Sequence, residues 1–189
     1  MTGIIILAAG SSGRLGSPKQ NLIYKGETLL QRAVRAAKAS ACNVIIVVLG
    51  ANEEIIKPTI EGLNITTIRN PDWQEGMASS IRTGVNNLRQ SGQNIDSAIL
   101  MLCDQPFIDA ELLNQLVQRK QAKGITACTY KDTIGPPVLF TKKYFDELLL
   151  LKGHEGAKKL ILKYPGDVET IPFPLGAVDI DTMEDFERL

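Results

Sequence analysis

The stretch Ile4-Ile5-Ile6-Leu7-Ala8-Ala9-Gly10-Ser11-Ser12-Gly13-Arg14-Leu15-Gly16-Ser17-Pro18-Lys19 couples a short β-branched run to a loop of small residues that carries Arg14 and Lys19. The apolar run reads as a strand buried on both faces, the pattern of a parallel sheet covered by helices. Ligands of open α/β sheets bind outside the carboxyl ends of the strands, so the loop after Leu7 is the first candidate site. Its three glycines predict tight turns and backbone N–H groups that approach an anion without interference from Cβ atoms. Arg14 offers a planar fork of donors to phosphate oxygens, and Lys19 a compact charge. A bare Gly-Ser segment reads equally well as a plain turn; the two cations tip the reading towards a polyphosphate.

Further strands are expected at Val44 to Leu49, Ile65 to Ile68, Ala98 to Leu102 and, more weakly, Ile125 to Thr129, with another at Val168 to Ile171. Between them the apolar spacing turns helical: Leu29, Leu30, Ala33, Val34 and Ala37, then Ile81, Val85 and Leu88, then Leu112, Leu113, Leu116 and Val117. Helical texture returns at Lys142 to Leu151 and Gly156 to Tyr164. Strands alternating with helices predict right-handed crossovers and a Rossmann-like three-layer α/β/α sandwich with a mostly parallel sheet. At 189 residues, with no repeat and no long Pro, Gly or Ser linker, residues 1–189 are expected to form a single domain.

The 21 basic residues balance 21 acidic ones, which excludes a long-range field pulling the chain onto nucleic acid or an anionic membrane. The first apolar run is too short for a signal peptide or a span. Cys42, Cys103 and Cys128 are widely spaced and odd in number, so neither a disulfide framework nor a thiolate zinc site is indicated, and a reducing cytoplasm is the expected compartment. Two familiar phosphate motifs fail: glycines at 10, 13 and 16 do not match G-x-G-x-x-G, and no Lys-Ser or Lys-Thr follows them as a Walker A motif requires.

Leu7 to Lys19 resembles the L-A-[AG]-G-x-S-x-R-[ML]-G-x-x-K loop of the MobA-like nucleotidyltransferases that act on molybdenum cofactor, whose fold is of the nucleotide-diphospho-sugar transferase type. The resemblance runs from about Ile4 to Phe186. It implies that Leu7, Ala8, Ala9, Gly10, Ser11, Ser12 and Gly13 wrap a triphosphate, with Arg14 and Lys19 neutralising it and the departing pyrophosphate. Ala9, where guanylyltransferases usually carry Gly, looks more like the cytidylyltransferase branch. CTP is therefore the expected nucleotide and molybdopterin the expected acceptor, with GTP-dependent guanylyl transfer, or transfer to another phosphorylated small molecule, as the runner-up.

Asp104, in Cys103-Asp104-Gln105-Pro106, stands just beyond an expected buried strand, where it either holds a hard cation or starts a turn leading to the helix near Asp109. Resemblance to the family's [GC]-D-Q-P motif favours the metal, Mg2+ with Mn2+ as a substitute. Val178-Asp179-Ile180-Asp181-Thr182-Met183-Glu184-Asp185 looks like the family's D-I-D-T-P-E-D segment, with Met183 in place of Pro. Asp179 is the expected second metal carboxylate. Asp181 reads as either a further ligand or a helix cap, with Asp181 or Thr182 capping and Glu184 or Asp185 closing a capping box.

Asn70 to Gly84 resembles the family's segment against base and ribose, which implies nucleotide contacts for Gly76, Met77, Ser79 and Ser80. Ser79 and Ser80 are expected to cap the helix that opens there, and Trp73 reads as packing before shielding. Gly135 to Phe140 resembles an acceptor-side strand, and Gly153-His154-Glu155-Gly156-Ala157 a segment in which the family carries Asp instead of His154. As the sole histidine, His154 reads as a surface or supporting residue, not a general base. A phosphate monoester needs no base to attack an α-phosphorus, so the catalyst needs mainly positioning and charge. A molybdoenzyme or its insertion chaperone is the expected protein partner. The competing classes are a Rossmann-like NAD(P)-binding oxidoreductase, which lacks its glycine fingerprint, and a non-catalytic cofactor carrier, against which Arg14, Lys19, Asp104 and Asp179 speak.

Overall fold

A computed structural model describes residues 1–13 and 15–189; Arg14 lies outside the described residues. In chain order the elements are β1 (Thr2–Ala8), β2 (Ile23–Tyr24), β3 (Glu27–Thr28), α1 (Leu29–Ala39), β4 (Val44–Leu49), α2 (Glu53–Ile56), β5 (Thr66–Arg69), α3 (Met77–Gln90), β6 (Ser97–Leu102), α4 (Ala110–Arg119), β7 (Ile125–Tyr130), β8 (Thr133–Thr141), α5 (Phe145–Leu149), α6 (Ala157–Lys163), β9 (Val168–Pro172) and α7 (Met183–Glu187).

One seven-stranded sheet carries them, in the order β5-β4-β1-β6-β8-β7-β9. All neighbours pair in parallel except β8, which runs antiparallel to both β6 and β7. The alternation along β1 sorts the two faces. Ile4, Ile6 and Ala8 pack with Leu30, Val34 and Ala37 of α1 and Leu113 and Leu116 of α4. Ile5 packs on the opposite face with Ile81 and Val85 of α3, and with Phe145 and Leu148 of α5. Each fully buried Ile, Leu, Val or Phe side chain among them contributes about 1.5–3 kcal/mol. The sheet therefore lies between two helical layers, the expected three-layer sandwich.

Local chemistry sets the helix starts. Thr28 accepts from Gln31 N and the Gln31 side chain returns to Thr28 N, a capping box that starts α1. Asp109, not Asp104, caps α4 through Leu112 N at 2.9 Å. The β2–β3 hairpin, which the apolar pattern did not announce, turns on Lys25 and Gly26 at φ 52° and 85°, the left-handed pair that a two-residue turn requires. Among the described residues no helix is long and apolar enough to cross a membrane.

The chain visits β1, β4 and β5 outward on one side, then crosses back to place β6 on the other side of β1. Leu7 and Leu102 are paired in register. The loop after β1 and the segment after β6 thus emerge side by side from the carboxyl edge, at the topological switch point where such sheets bind ligands.

Candidate active site

The β1 loop is shaped by a residue the sequence reading passed over. Gln20 is buried, at 1% exposure, and its Nε2 donates to the carbonyls of Ala8 at 2.9 Å and Gly10 at 3.1 Å, while its Oε1 accepts from Ser12 Oγ. Ser12 Oγ also accepts from Lys19 N at 3.0 Å, closing the loop on itself. Of the three glycines Gly16, at φ 69°, takes a left-handed position as expected, whereas the other left-handed position in the loop falls on Ser12, at φ 54°. Gly10 lines the cleft, and a Cβ there would meet open space. A polar residue such as Gln20, one after Lys19 and two after Pro18, carries no signal of burial until the loop folds back over it.

Lys19 leads the loop back across the sheet edge. Its Nζ donates to Asp104 Oδ2 at 2.5 Å, to Asp181 Oδ1 at 3.0 Å and to the Ile180 carbonyl at 3.4 Å. Burial opposes the charge on Lys19, but the Asp104 charge and the hydrogen bonds to Asp104 and Asp181 outweigh it and hold the ammonium pKa above its ordinary value. Burial pushes the Asp104 carboxyl up, and Asp181 and Asp179 push the same way against the pull of Lys19. Asp104 is 8% exposed, and its second oxygen, Oδ1, is buried with no hydrogen-bond partner.

Thr182 settles the open question at the last helix. It caps α7, with Asp185 closing the box, which leaves Asp181 to face Lys19. Asp179 is exposed and touches neither Lys19 nor Asp104 in a hydrogen bond; it lines a second cleft beside Gln105. Ile180 between them is fully buried, and its N–H donates to the Asp104 carbonyl at 3.1 Å. This bond pins the 179–181 segment to the end of β6.

The cleft at this edge of the sheet, about 380 Å³, is lined by Leu7 to Ser11, Lys19, Gln20, Trp73, Gly76, Met77, Ser80, Asp104 and His154, among others. Of the residues expected to contact nucleotide, Leu7, Ala8, Ala9, Gly10, Ser11, Lys19, Gly76, Met77 and Ser80 meet there; Ser12, Gly13 and Ser79 do not line it. Ser12 instead bonds Gln20 and Lys19 behind the loop, and Gly13 is exposed. The serine pair does not cap α3 as expected. Gly76 occupies the N-cap with no side-chain bond, and Ser79 and Ser80 sit inside the first turn, where both accept from Asn70 Nδ2 at 2.8 and 3.0 Å. The buried Asn70 thereby ties the end of β5 to the start of α3.

Close backbone approaches give the walls their form. Gly76 has φ 119°, and a Cβ on it would lie 2.5 Å from the Gly153 carbonyl oxygen and 2.9 Å from His154 Nδ1. The Gly153 carbonyl accepts from Ala78 N at 3.0 Å, which locks the 153–154 segment onto the start of α3 and holds His154, exposed, on the cleft wall. On the other side, a Cβ on Gly50 would lie 2.6 Å from Trp73 Cβ and 2.8 Å from Ala9 Cβ. Trp73 is half-buried: it packs on the core beneath and lines the cleft above. Ala9 is 6% exposed and turns its methyl onto Gly50.

A loop of small residues, a lysine held between carboxylates and a cleft over the switch point form one constellation. Residues 4–168 match the model of the MobA-like NTP transferase domain. The chain belongs to this family. MobA-like enzymes are nucleotidyltransferases, and nucleotidyl transfer is the activity class of this chain. Relatives of this MobA-like chain include nicotine blue oxidoreductase of Paenarthrobacter nicotinovorans, 28% identical over all of this chain and 96% of that protein. The purine catabolism protein PucB of Bacillus subtilis is 27% identical, over 83% and 78% of the two chains. The molybdenum cofactor cytidylyltransferase of Escherichia coli is 24% identical, over 96% and 92%. Among solved structures, a Mycobacterium sp. strain JC1 homologue of Rv0371c superposes at TM-score 0.87 with 30% identity, over 99% of this chain and 93% of that one. Rv0371c of Mycobacterium tuberculosis H37Rv in complex with manganese superposes at 0.81 with 26% identity, over 100% and 96%. The MobA-like fold is thus shared along the whole length, with a divalent metal present in one neighbour.

Proposed function

We propose that this nucleotidyltransferase transfers CMP from CTP to the phosphate of molybdopterin or molybdenum cofactor and releases pyrophosphate. The observation that carries the reading is the Lys19–Asp104 pair at the lip of the cleft, with Asp104 Oδ1 buried and unpartnered beside it. A buried carboxylate oxygen without a donor suits a hard cation, and the other nearby charges, Asp181 and Asp179, are also carboxylates. No cluster of three or more His, Cys, Asp or Glu fit to hold a metal occurs among the described residues. In this reading Mg2+, or Mn2+ in its place, is held by one or two carboxylates together with substrate oxygens; Asp104 would hold it, with Asp179 as the second carboxylate. When bound, the metal supplies positive charge to the triphosphate oxygens.

The chain's own groups do the rest by placement. The 10–13 backbone receives the phosphates, and Lys19, kept charged by Asp104 and Asp181, stabilises charge on the leaving pyrophosphate, with Arg14 in the same role. Gly76, Met77, Ser80 and Trp73 bound the space for base and ribose. The attacking phosphate is already an anion at neutral pH, so no histidine is needed to deprotonate it, and His154 serves as cleft wall.

The test is pyrophosphate release with Mg2+, a phosphorylated pterin dithiolene and each of CTP, GTP, ATP and UTP in turn. Acceptor-dependent release with CTP is the expected result. Strong preference for GTP overturns the choice of base, and release with none of the four overturns the reading. A second reading, a redox enzyme built on the same fold, is favoured by the oxidoreductase relative that spans the whole chain; saturable NADH or NADPH binding without nucleotidyl transfer would establish it.

A further inference from the structure

Lys19 and Asp104 lie on segments that have left the main sheet. Lys19 opens a single turn that leads into β2, and β2 pairs with β3 in a separate sheet of two short strands. Asp104 follows the end of β6. A two-stranded hairpin is marginal without outside support. Gln20 ties the first segment to the end of β1 from within the cleft. A second tie, from behind, runs through Arg32 of α1.

Arg32 is half-buried and is not among the residues that line the cleft. Its Nη2 donates to the carbonyl of Pro106 at 3.3 Å, just beyond Asp104. The same guanidinium stands over the ring of Tyr24 in β2, with Cζ 5.0 Å from the centroid, and Glu27 of β3 lies 3.7 Å from its Nη1. Tyr24 meets Phe107 edge-on, at 6.4 Å and 82°. One planar group thus touches both strands of the hairpin that follows Lys19 and the segment that carries Asp104. A planar fork can stack on a ring and donate in its own plane at once, which an ammonium cannot. The arrangement is not built for the arginine's own comfort: its Nε is buried with no hydrogen-bond partner, which costs stability and calls for a reason. Leu30 and Val34, buried on either side of it in α1, anchor the helix from which it reaches out.

We propose that Arg32 is a positioning residue for the reaction: by bridging the β2–β3 hairpin and the Pro106 carbonyl it sets the separation of Lys19 and Asp104, and it acts through that pair without touching substrate. The proposal rests on the reading that Lys19 and Asp104 serve nucleotidyl transfer. Small displacements of a charged pair matter there, because a preorganised charge works only at its place.

The test is a double-mutant cycle between Arg32→Met, which keeps the stem and removes the fork, and Lys19→Ala, read in the full chain by pyrophosphate release and by thermal melts. Arg32→Met alone should lower kcat/KM by about tenfold, and in the Lys19→Ala background it should lower it no further, because residues that act through one another do not add. Equal fractional losses in both backgrounds overturn the proposal. Arg32→Lys, which keeps the charge without the fork, should behave like Arg32→Met; full activity in Arg32→Lys would assign the effect to charge alone and overturns the bridge. In melts, the loss of Tm in the double variant should fall short of the sum of the two single losses, and a plain sum overturns the link between Arg32 and the pair. The melts involve no nucleotide, so release with none of the four triphosphates would sink the transfer reading while the melts still decide whether Arg32 holds Lys19 and Asp104 together.

Discussion

Lys19 and Asp104, 85 positions apart in the chain, meet at 2.5 Å across the carboxyl edge of the sheet. The ammonium is half-buried and the carboxylate almost wholly so, so each depends on the other to remain charged in that place.

Removing either member should therefore remove a preorganised charge from the reaction. Lys19→Ala and Asp104→Ala are expected to lower the rate of pyrophosphate release by on the order of 10²–10³. Full activity in either variant would remove the pair from the mechanism.

Two glycines that look alike in sequence should fail in opposite ways. Gly10→Ala meets no atom within 4 Å, whereas Gly76→Ala meets the Gly153 carbonyl at 2.5 Å from a backbone at φ 119°. Gly10→Ala should melt like wild type yet bind CTP about tenfold or more weakly, because its methyl enters the phosphate space. Gly76→Ala should lose on the order of 1–3 kcal/mol of stability. Paired thermal melts and nucleotide titrations separate the two outcomes.

Gln20→Met keeps the volume at the buried position and strands the carbonyls of Ala8 and Gly10. Leaving buried acceptors unmatched costs about 1–3 kcal/mol, which for a chain of this size lowers Tm by a few degrees. The loop should also loosen, raising KM for nucleotide more than it lowers kcat. An unchanged KM would mean that the loop keeps its shape without this clamp.

Asp167 ties the far end of the sheet to the segment before α5. It accepts from Tyr144 Oη at 2.5 Å, Gly124 N at 3.1 Å and Lys143 Nζ at 3.0 Å. The Tyr144 bond, then the Gly124 bond and Lys143, holds its carboxyl down to about 2 from an ordinary 3.8. A carboxyl lowered on folding stabilises the fold above its unfolded pKa, and that contribution is lost as pH falls through the folded value. Asp167→Asn should thus narrow the stability difference from wild type as pH drops from 4 towards 2. A difference constant over that range in Tm measurements would assign the effect to packing alone.

Much of the scaffold can be read from spacing. Val44 to Leu49 is both the apolar run and the strand, because a strand buried on both faces needs no partner to declare itself. Leu29 to Ala37 marks one face of α1 for the same reason. The hairpin at Ile23 to Thr28 escaped because two-residue strands leave no period to detect. Ser79 and Ser80 do not cap α3 because they lie inside its first turn, where Asn70 from the end of β5 donates to both hydroxyls.

By itself the sequence determined the alternation of strands and helices, the small-residue loop after β1 and the residues that resemble a MobA-like transferase, since all of these depend on neighbours within a few positions. Only the tertiary structure decided that β8 runs backwards, that Gln20 and Gln105 are buried amides each donating to two backbone carbonyls, and that Asp181, not Asp179, grips Lys19. Strand direction and the pairing of distant polar groups are set when the sheet closes and desolvates them together, and no local pattern of residues records that event.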